Sequence, residues 1–144
     1  YTCKRVVARE LTREQDYSLV QLDRPVVGRS PLKLATATAK AGDSLVLVGH
    51  PSGLPTKVAG GANVRKVEKG FFFFFSDSYG GNSGSAVFST ATNEVVGILV
   101  RGEEDFKYDM SGFCVRSNYC ADGDCRGEDA THIEFITNAL KTVQ

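Results

Sequence analysis

The sequence lacks any apolar run long enough to cross a membrane, because its densest run, Phe71–Phe75, has five residues and a span needs about 20. It also lacks an excess of charge of either sign, since 17 Lys and Arg balance 17 Asp and Glu. A neutral chain without a basic stripe gives no electrostatic reason to expect nucleic acid or an anionic membrane as a partner. No secretory signal opens the chain, so for an exported protein we expect a targeting segment that has been removed or lies upstream of Tyr1.

The four cysteines lack the CxxC spacing that zinc ribbons and thioredoxin-like redox sites require. Three of them fall in a loop rich in Gly, Asp and Asn, where an even count favours disulfides and an oxidising compartment. We therefore expect a secreted or periplasmic protein with no metal or cofactor. The sequence leaves open all three pairings, a bond from Cys3 to a residue outside the chain, and a less favoured zinc site with His132. The cysteines are Cys3, Cys114, Cys120 and Cys125.

Short runs rich in β-branched and aromatic residues alternate with Gly, Pro and Asn turn signals, a pattern typical of a β-barrel or β-sandwich. The composition, 42% hydrophobic and 24% charged, is that of a globular protein. No repeat and no linker divides the chain. The predicted strands span residues 4–11, 17–22, 44–49, 57–69, 71–76, 85–89, 94–100 and 113–117.

The end of the chain changes character. Thr131, followed three residues later by Glu134, is typical of a capping box at the start of a helix. The apolar residues that follow recur at helical spacing and predict one amphipathic helix of roughly three turns. They are Ile133, Ile136, Leu140 and Val143.

A serine bracketed by glycines, Ser83, lies between a Phe-rich strand and a second apolar strand, in the run Gly-Asn-Ser-Gly-Ser at 81–85. Glycines on both sides allow a tight turn that a residue with a Cβ would not easily follow. Such a turn lets backbone N–H groups converge beside the hydroxyl, as an oxyanion hole requires. The alternative is a plain glycine-rich hairpin with a solvent-facing serine.

One carboxylate, Asp16, opens an apolar strand in which Leu19 and Leu22 are expected in the core. From that position it could turn inward toward a partner imidazole, or it could be an ordinary strand-end aspartate. Asp23, which precedes an Arg-Pro pair, is better interpreted as a turn residue.

Together the two segments resemble those of trypsin-like serine proteases, in which one motif carries the triad aspartate and the other the nucleophile. The Gly-Asn-Ser-Gly-Ser spelling resembles the bacterial glutamyl-endopeptidase-like branch. The turn at 49–55 resembles that of bacterial members of the family, and the strand at 97–102 resembles the strand that flanks the substrate. The resemblance implies an all-β, chymotrypsin-like double β-barrel with a C-terminal helix. Residues 1–30 would then be the last strands of the amino-terminal barrel, 31–130 the carboxy-terminal barrel, and 131–144 the helix.

The resemblance also implies roles in acyl transfer. Ser83 would be the nucleophile, Asp16 would orient a histidine, and the amides of Gly81 and Ser83 would form the oxyanion hole. The substrate would be a protein or peptide. Asn82 stands where animal trypsins carry an aspartate that traps a new amino-terminal ammonium, so that activation route is not expected here.

The base of the triad is missing. Only 15 residues precede Asp16, and none is a histidine. His50 falls in a Gly-His-Pro turn, where we expect a structural role, and His132 falls at the start of the predicted helix. We expect a partner segment, amino-terminal to this chain, to bring the histidine; the alternative is a catalytically inactive relative that binds proteins or peptides.

The specificity pocket is ambiguous by sequence. Asp77 stands six residues before Ser83, where a buried carboxylate would favour Arg or Lys in the substrate. Leu99 replaces the histidine of glutamate-cutting relatives, which argues against glutamate. Glutamate and apolar preferences stay open, as does an Asp77 that only hydrogen-bonds its own turn. The other expected substrate-binding residues are Ser78, Val100 and Gly102.

Two features have no assigned chemistry. Alternate rings of Phe71–Phe75 should face opposite sides of a strand, some in the barrel and others beneath the missing half or the helix. The cysteine-rich loop at 111–128 should either border the cleft or form a disulfide-tied excursion. Its acidic residues, Asp122 and Asp124, lack the spacing of an EF-hand, so calcium is disfavoured.

Overall fold

The structure, a computed structural model, describes residues 1–120 and 124–142. That part of the chain is mostly β, with ten strands, a short 3₁₀ turn at Pro51–Gly53 and a terminal α-helix. The elements are β1 (Cys3–Leu11), β2 (Asp16–Leu22), β3 (Ser44–Gly49), β4 (Lys57–Val67), β5 (Phe71–Phe75), β6 (Ala86–Ser89), β7 (Val95–Arg101), β8 (Phe106–Asp109), β9 (Cys114–Ser117), β10 (Glu128–His132) and α1 (Ile133–Lys141).

Six antiparallel strands form a closed barrel in the order β10-β5-β4-β3-β6-β7, with β7 pairing back to β10. Its interior is filled by alternate side chains of each strand, as the pleat of a half-buried strand requires. The fully buried apolar residues include Leu45, Leu47, Phe72, Phe74 and Val87. This barrel and the helix that follows it confirm the predicted all-β, chymotrypsin-like fold.

All eight predicted strands exist with bounds within two residues of those expected, but two strands were missed. One of them, β10, is polar and gave no strand signal. Its Asp129 is only 1% exposed, and the barrel tolerates it because Arg101 and Arg126 donate to the carboxylate at 2.7 and 2.6 Å. A buried charge paired in this way avoids most of its desolvation cost.

The predicted capping box is wrong. The helix begins at Ile133, and its N-cap residue, His132, makes no side-chain capping bond. Thr131 belongs to β10, where its hydroxyl is committed to the backbone of Asp16. Ile133 and Ile136 are buried as predicted, while Val143 lies outside the described residues.

The rings of β5 alternate as expected, with Phe72 and Phe74 inside the barrel. The other three rings were expected beneath a missing half or the helix; within the described residues, cationic side chains lie over them. Such cation–π contacts contribute about 0.5–1 kcal/mol at exposed sites. The pairs are Arg101 with Phe71 at 4.4 Å, Arg65 with Phe75 at 4.2 Å, and Lys66 and Arg126 with Phe73 at 5.9 and 5.6 Å.

Two ribbons lie outside the barrel, β1–β2 and β8–β9, and each pairs only within itself in the described part of the chain. The first is anchored at its turn, since Gly70 has no side chain and the backbone of Glu14 occupies the place of a Cβ. The other end is uncovered. Leu22, expected in the core, is 37% exposed there, because no described element packs over it.

Of the three open cysteine pairings, the structure contains the bond Cys120–Cys125. Cys3 and Cys114 are exposed thiols. The disulfide closes the excursion that follows β9, where Asp122 lies outside the described residues.

No helix between residues 1 and 120 or between 124 and 142 combines the length and the apolarity needed to cross a membrane. Over those same ranges, no three His, Cys, Asp or Glu side chains lie together in a way that could hold a metal ion.

Candidate active site

The segment between β5 and β6, residues 76–85, carries Ser83 on a tight turn. Gly81 and Gly84 have φ angles of +96° and +89°, the left-handed region that favours glycine. A Cβ on Gly81 would also lie 2.9 Å from the backbone nitrogen of Ser52. The backbone path therefore requires these glycines, in agreement with the tight turn expected from the sequence.

Backbone hydrogen bonds fix this turn from two sides. On the β7 side, the Gly84 amide donates to the Leu99 carbonyl at 2.7 Å and the Leu99 amide donates to the Ser85 carbonyl at 3.0 Å. On the other side, the Ser52 amide donates to the Gly80 carbonyl at 2.7 Å. The turn is thus held rigidly, which is the condition for preorganised donors.

The amides around Ser83 alternate between paired and free. Those of Gly80, Asn82 and Gly84 each donate a hydrogen bond to another atom of the protein. Those of Gly81 and Ser83 donate none to any residue that the structure describes. These two amides belong to exposed residues beside an exposed hydroxyl, so they are available to donate hydrogen bonds to an anionic oxygen.

Asn82 is the buried support of the turn, with 4% of its surface exposed. Its side-chain amide donates to the Ser78 hydroxyl at 2.9 Å, while Oδ1 has no partner within the described residues. A Cβ on Gly49 would overlap that oxygen, so the side chain packs directly against β3. A neutral amide therefore stands inside the turn at this position.

Asp16 is positioned through its backbone. The Thr131 hydroxyl donates to the Asp16 carbonyl at 3.0 Å and accepts from the Asp16 amide at 3.3 Å. Thr131 pairs with Ile98 of β7, and the Ser83 hydroxyl lies 3.5 Å from the Val100 carbonyl of the same strand. Asp16 and Ser83 are thus each linked to β7, Asp16 through Thr131 and Ser83 through the Val100 carbonyl.

Neither histidine of the chain takes part in this arrangement. The ring nitrogens of His50 lie 3.2 Å from the Leu54 carbonyl and 3.3 Å from the Thr56 hydroxyl, within its own turn. His132, expected in the first turn of the helix, is instead the last residue of β10 and is buried, with Nε2 2.9 Å from the Glu68 carbonyl. Within the described ranges, no imidazole contacts Ser83.

A cavity of about 310 Å³ lies beside the segment that carries Ser83. Tyr79 lines it and also lines a smaller cavity of about 50 Å³ that reaches Ser83. Five described residues of the larger cavity are acidic and none is basic. They are Asp77, Glu103, Glu104, Asp105 and Glu128.

Glu128 is the most enclosed of these carboxylates and lies against Gly102, where a Cβ would overlap it. Its carboxylate forms no ion pair or hydrogen bond with any described residue. Burial raises the pKa of Glu128 to about 7, the nearby charges of Asp105, Asp129 and Glu103 act in the same direction, and Arg126 opposes them.

The expectation of a buried carboxylate at Asp77 is corrected. Asp77 lines the cavity but is exposed, and no described residue donates a hydrogen bond to it. A solvated carboxylate discriminates weakly between substrate charges because water screens it. Glu128, which the sequence analysis missed, occupies the more enclosed position.

The other predicted substrate-binding residues differ in whether they line a cavity. Ser78 lines the larger cavity, Gly102 lines the smaller one, and Val100 lines neither but presents its carbonyl to Ser83. Leu99 touches the smaller cavity yet is 3% exposed and belongs to the barrel core.

Comparisons with known proteins agree with this architecture. The family model described as a trypsin-like peptidase domain matches residues 3–98, a range that includes Asp16 and Ser83. A comparison with curated proteins finds no match.

Among solved structures, the chain is similar to the Rv3671c protease from M. tuberculosis. The inactive form of a serine-to-alanine mutant has a TM-score of 0.63 and 16% identity, with 96% of this chain and 63% of that chain covered. The inactive form of Rv3671c protease has a TM-score of 0.63 and 16% identity, with 96% of this chain and 65% of that chain covered. The active form has a TM-score of 0.59 and 16% identity, with 86% of this chain and 51% of that chain covered.

This chain thus spans less than two thirds of the length of those structures, and at 16% identity the likeness concerns the fold. The family model covers most of the chain, from the first ribbon to β7. The chain therefore belongs to the trypsin-like peptidase domain family.

Proposed function

We propose that this chain is the part of a secreted or periplasmic serine endopeptidase that carries Ser83 as nucleophile and Asp16 as triad carboxylate. The observation that carries the proposal is the pair of free amides, Gly81 and Ser83, beside an exposed hydroxyl. An anionic oxygen beside Ser83 Oγ can accept from both amides without breaking a hydrogen bond within the described protein.

In the proposed reaction, Ser83 Oγ bonds to the substrate carbonyl carbon while its proton passes to an imidazole. The carbonyl oxygen becomes an oxyanion and accepts hydrogen bonds from the Gly81 and Ser83 amides. The C–N bond then breaks and the imidazolium returns the proton to the departing amine. Water repeats the sequence on the acyl-serine and releases the carboxylic acid.

The imidazole would come from a segment outside these 144 residues. The uncovered face of the first ribbon supports this part of the proposal, because Val20 and Leu22 share a strand face with Asp16 and pair across to Val6 and Cys3. Val6 and Val20 are 52% and 44% exposed. An apolar face of this kind next to the triad carboxylate is suited to further strands.

We further propose a preference for Arg or Lys before the cleaved bond. The acidic lining of the larger cavity supports it, with Glu128 as the principal carboxylate and Asp77 at the exposed rim. Opposite charge favours a cationic side chain, and a glutamate would meet like charges there. Membership of the glutamyl-endopeptidase-like branch stays a prediction from the spelling of the motif.

A second candidate is a catalytically inactive trypsin-fold module that binds proteins or peptides. It is favoured by one observation, that no imidazole lies beside Ser83 in the described residues. Both candidate functions bind a protein or peptide in the cleft formed by the two cavities. They differ in whether Ser83 reacts with it.

The deciding experiment treats the complete protein, with whatever precedes Tyr1, with a fluorophosphonate probe. We expect covalent labelling at Ser83 and its loss in Ser83→Ala, because only a base-activated hydroxyl reacts rapidly with this probe. The matched control is Ser30→Ala, an exposed serine between β2 and β3, which should label normally. A folded complete protein that stays unlabelled would leave the binding module as the function.

A further inference from the structure

The hairpin formed by β8 and β9 has one apolar face that is open to solvent. Cross-strand pairing places Tyr108 opposite Val115 and Phe106 opposite Ser117, so these side chains share a face. Phe106, Tyr108 and Val115 are 43%, 57% and 62% exposed. Clustered exposed apolar side chains are uncommon unless something binds them.

The opposite face of the same hairpin is polar. Lys107 lies opposite Arg116, and Asp109 lies opposite Cys114. Arg116 also forms an ion pair with Asp109 at 2.6 Å. The hairpin therefore has one apolar and one polar face, and both are open to solvent in the described structure.

The base of the hairpin is joined to the nucleophile turn. Asp105 accepts a hydrogen bond from the Gly80 amide at 2.6 Å. The Tyr79 ring lies 5.5 Å from that of Phe106, and the Tyr79 hydroxyl donates to Ser117 at 3.4 Å. These contacts place the start of the apolar face directly beside Tyr79.

Tyr79 is the link to the cleft because it lines both cavities, including the one that reaches Ser83. Tyr79 contacts Phe106, which lies on the same hairpin face as Tyr108 and Val115, so the apolar face begins next to the wall of both cavities. Strands of four residues are about 13 Å long, so this face is long enough to lie along three or four residues of an extended peptide.

We propose that the apolar face of the β8–β9 hairpin binds an apolar side chain of the peptide held in the cleft, a few residues from the bond beside Ser83. This assignment rests on the proposed function only for the identity of the occupant as a peptide. The apolar face begins next to Tyr79, which lines both cavities, so a peptide bound in those cavities would reach it. This position favours a peptide over a second copy of the chain.

The test uses the complete protein carrying Ser83→Ala, so that binding is measured without cleavage. Two dye-labelled octapeptides, each with one central arginine, carry leucine or glycine on both flanks, and their Kd values are measured by fluorescence anisotropy. We expect the leucine peptide to bind about tenfold more tightly, since one apolar side chain in a pocket is worth about 10- to 200-fold. The double variant Tyr108→Thr with Val115→Thr should remove that difference, because threonine keeps β propensity but loses the apolar contact.

The matched control is Lys107→Thr with Arg116→Thr, the adjacent pair on the opposite face, which should retain the difference. A photoreactive leucine in the peptide should cross-link to residues 106–115, and this result does not depend on how any hairpin variant folds. Equal affinity for the two peptides, a difference that survives the Tyr108 and Val115 changes, or cross-links elsewhere would overturn the proposal. If the protein forms a dimer and the Tyr108 and Val115 changes dissociate it, the face binds a second copy of the chain instead of a peptide.

Failure of the proposed function gives a different result. If the wild-type complete protein does not react with the fluorophosphonate probe, Ser83 is not a nucleophile. The anisotropy and cross-linking outcomes still decide whether the hairpin binds a peptide.

Discussion

The closed barrel and the two flanking ribbons use similar amino acids with opposite results. In the barrel, Leu47 and Phe72 are 1% and 0% exposed, whereas Leu11 of the first ribbon and Phe113 beside the second are 84% and 81% exposed. The barrel satisfies its own edges by closing on itself, since β7 pairs with β10. The ribbons have no such closure and leave their apolar residues for other partners.

This difference bears on the proposed function because the candidate residues are divided among the three regions. The barrel contributes the rigid turn of Ser83, the first ribbon contributes Asp16, and the second ribbon abuts Tyr79. Stability should therefore depend mainly on the barrel, while catalysis and substrate selection should depend on both ribbons as well.

The largest effect expected from a ribbon is catalytic. Asp16→Asn should lower kcat of the complete protein by about 10⁴-fold, because an amide would hold the imidazole in the wrong tautomer. The melting temperature should change little, since the Thr131 bonds go to the backbone of Asp16. The control Asp23→Asn, at the end beyond β2, should leave kcat unchanged within about twofold. Equal losses in both variants would mean that the ribbon acts only as a structural support.

The free energy of unfolding, unlike catalysis, should depend far more on the barrel than on the ribbons. Phe72→Ala should reduce the free energy of unfolding by about 3–5 kcal/mol, because it opens a cavity in the barrel. Phe113→Ala, the same change at an exposed position, should cost no more than about 0.5 kcal/mol. Urea denaturation of the complete protein measures both. Similar losses of unfolding free energy in the two variants would show that the second ribbon is covered, in the complete protein, by something absent from this structure.

The smallest expected effect concerns Glu128, at the seam between barrel and ribbon. Its pKa is raised from 4.5 to about 7 in the folded protein, so Glu128 loses its proton at a lower pH in the unfolded chain than in the folded one. The free energy of unfolding therefore falls as pH rises from 4.5 to 7. Glu128→Gln should therefore stabilise the protein by about 1–2 kcal/mol at pH 8, after allowance for solvent screening, and by nothing at pH 4. Urea denaturation at both pH values measures it, with exposed Glu10→Gln as a control that should show no such trend.

The same variant tests the pocket assignment. Glu128→Gln should lower kcat/KM for cleavage after arginine more than after leucine, and more than Asp77→Asn does, because Glu128 is the less solvated carboxylate. A larger effect from Asp77 would return the specificity role to the residue that the motif predicts.

Sequence patterns predicted the barrel and the two motifs because those features depend on local chemistry. Alternating apolar residues and turn signals specify strands, and a tight turn at positive φ needs glycine at 81 and 84. The Gly-Asn-Ser-Gly-Ser run could therefore be recognised without knowledge of tertiary contacts. The glycines occupy the positions that the backbone path demands.

The features that were missed depend on contacts distant in sequence. β10 is polar, and it lies in the barrel between β5 and β7, where Arg101 and Arg126 pair with its buried Asp129. Thr131 matched a capping box but is bound to Asp16, 115 residues away. The one available signal for the acidic cavity was the run of three carboxylates, Glu103 to Asp105, directly after the strand expected to flank the substrate.

The most direct test of the account is a crystal structure of the complete protein with a phosphonate bound covalently at Ser83. We predict that the phosphonyl oxygen accepts hydrogen bonds from the amides of Gly81 and Ser83 at about 2.7–3.1 Å. We also predict an imidazole between Ser83 and the carboxylate of Asp16. A phosphonate oxygen turned away from both amides, or an Asp16 side chain remote from any imidazole, would contradict the account.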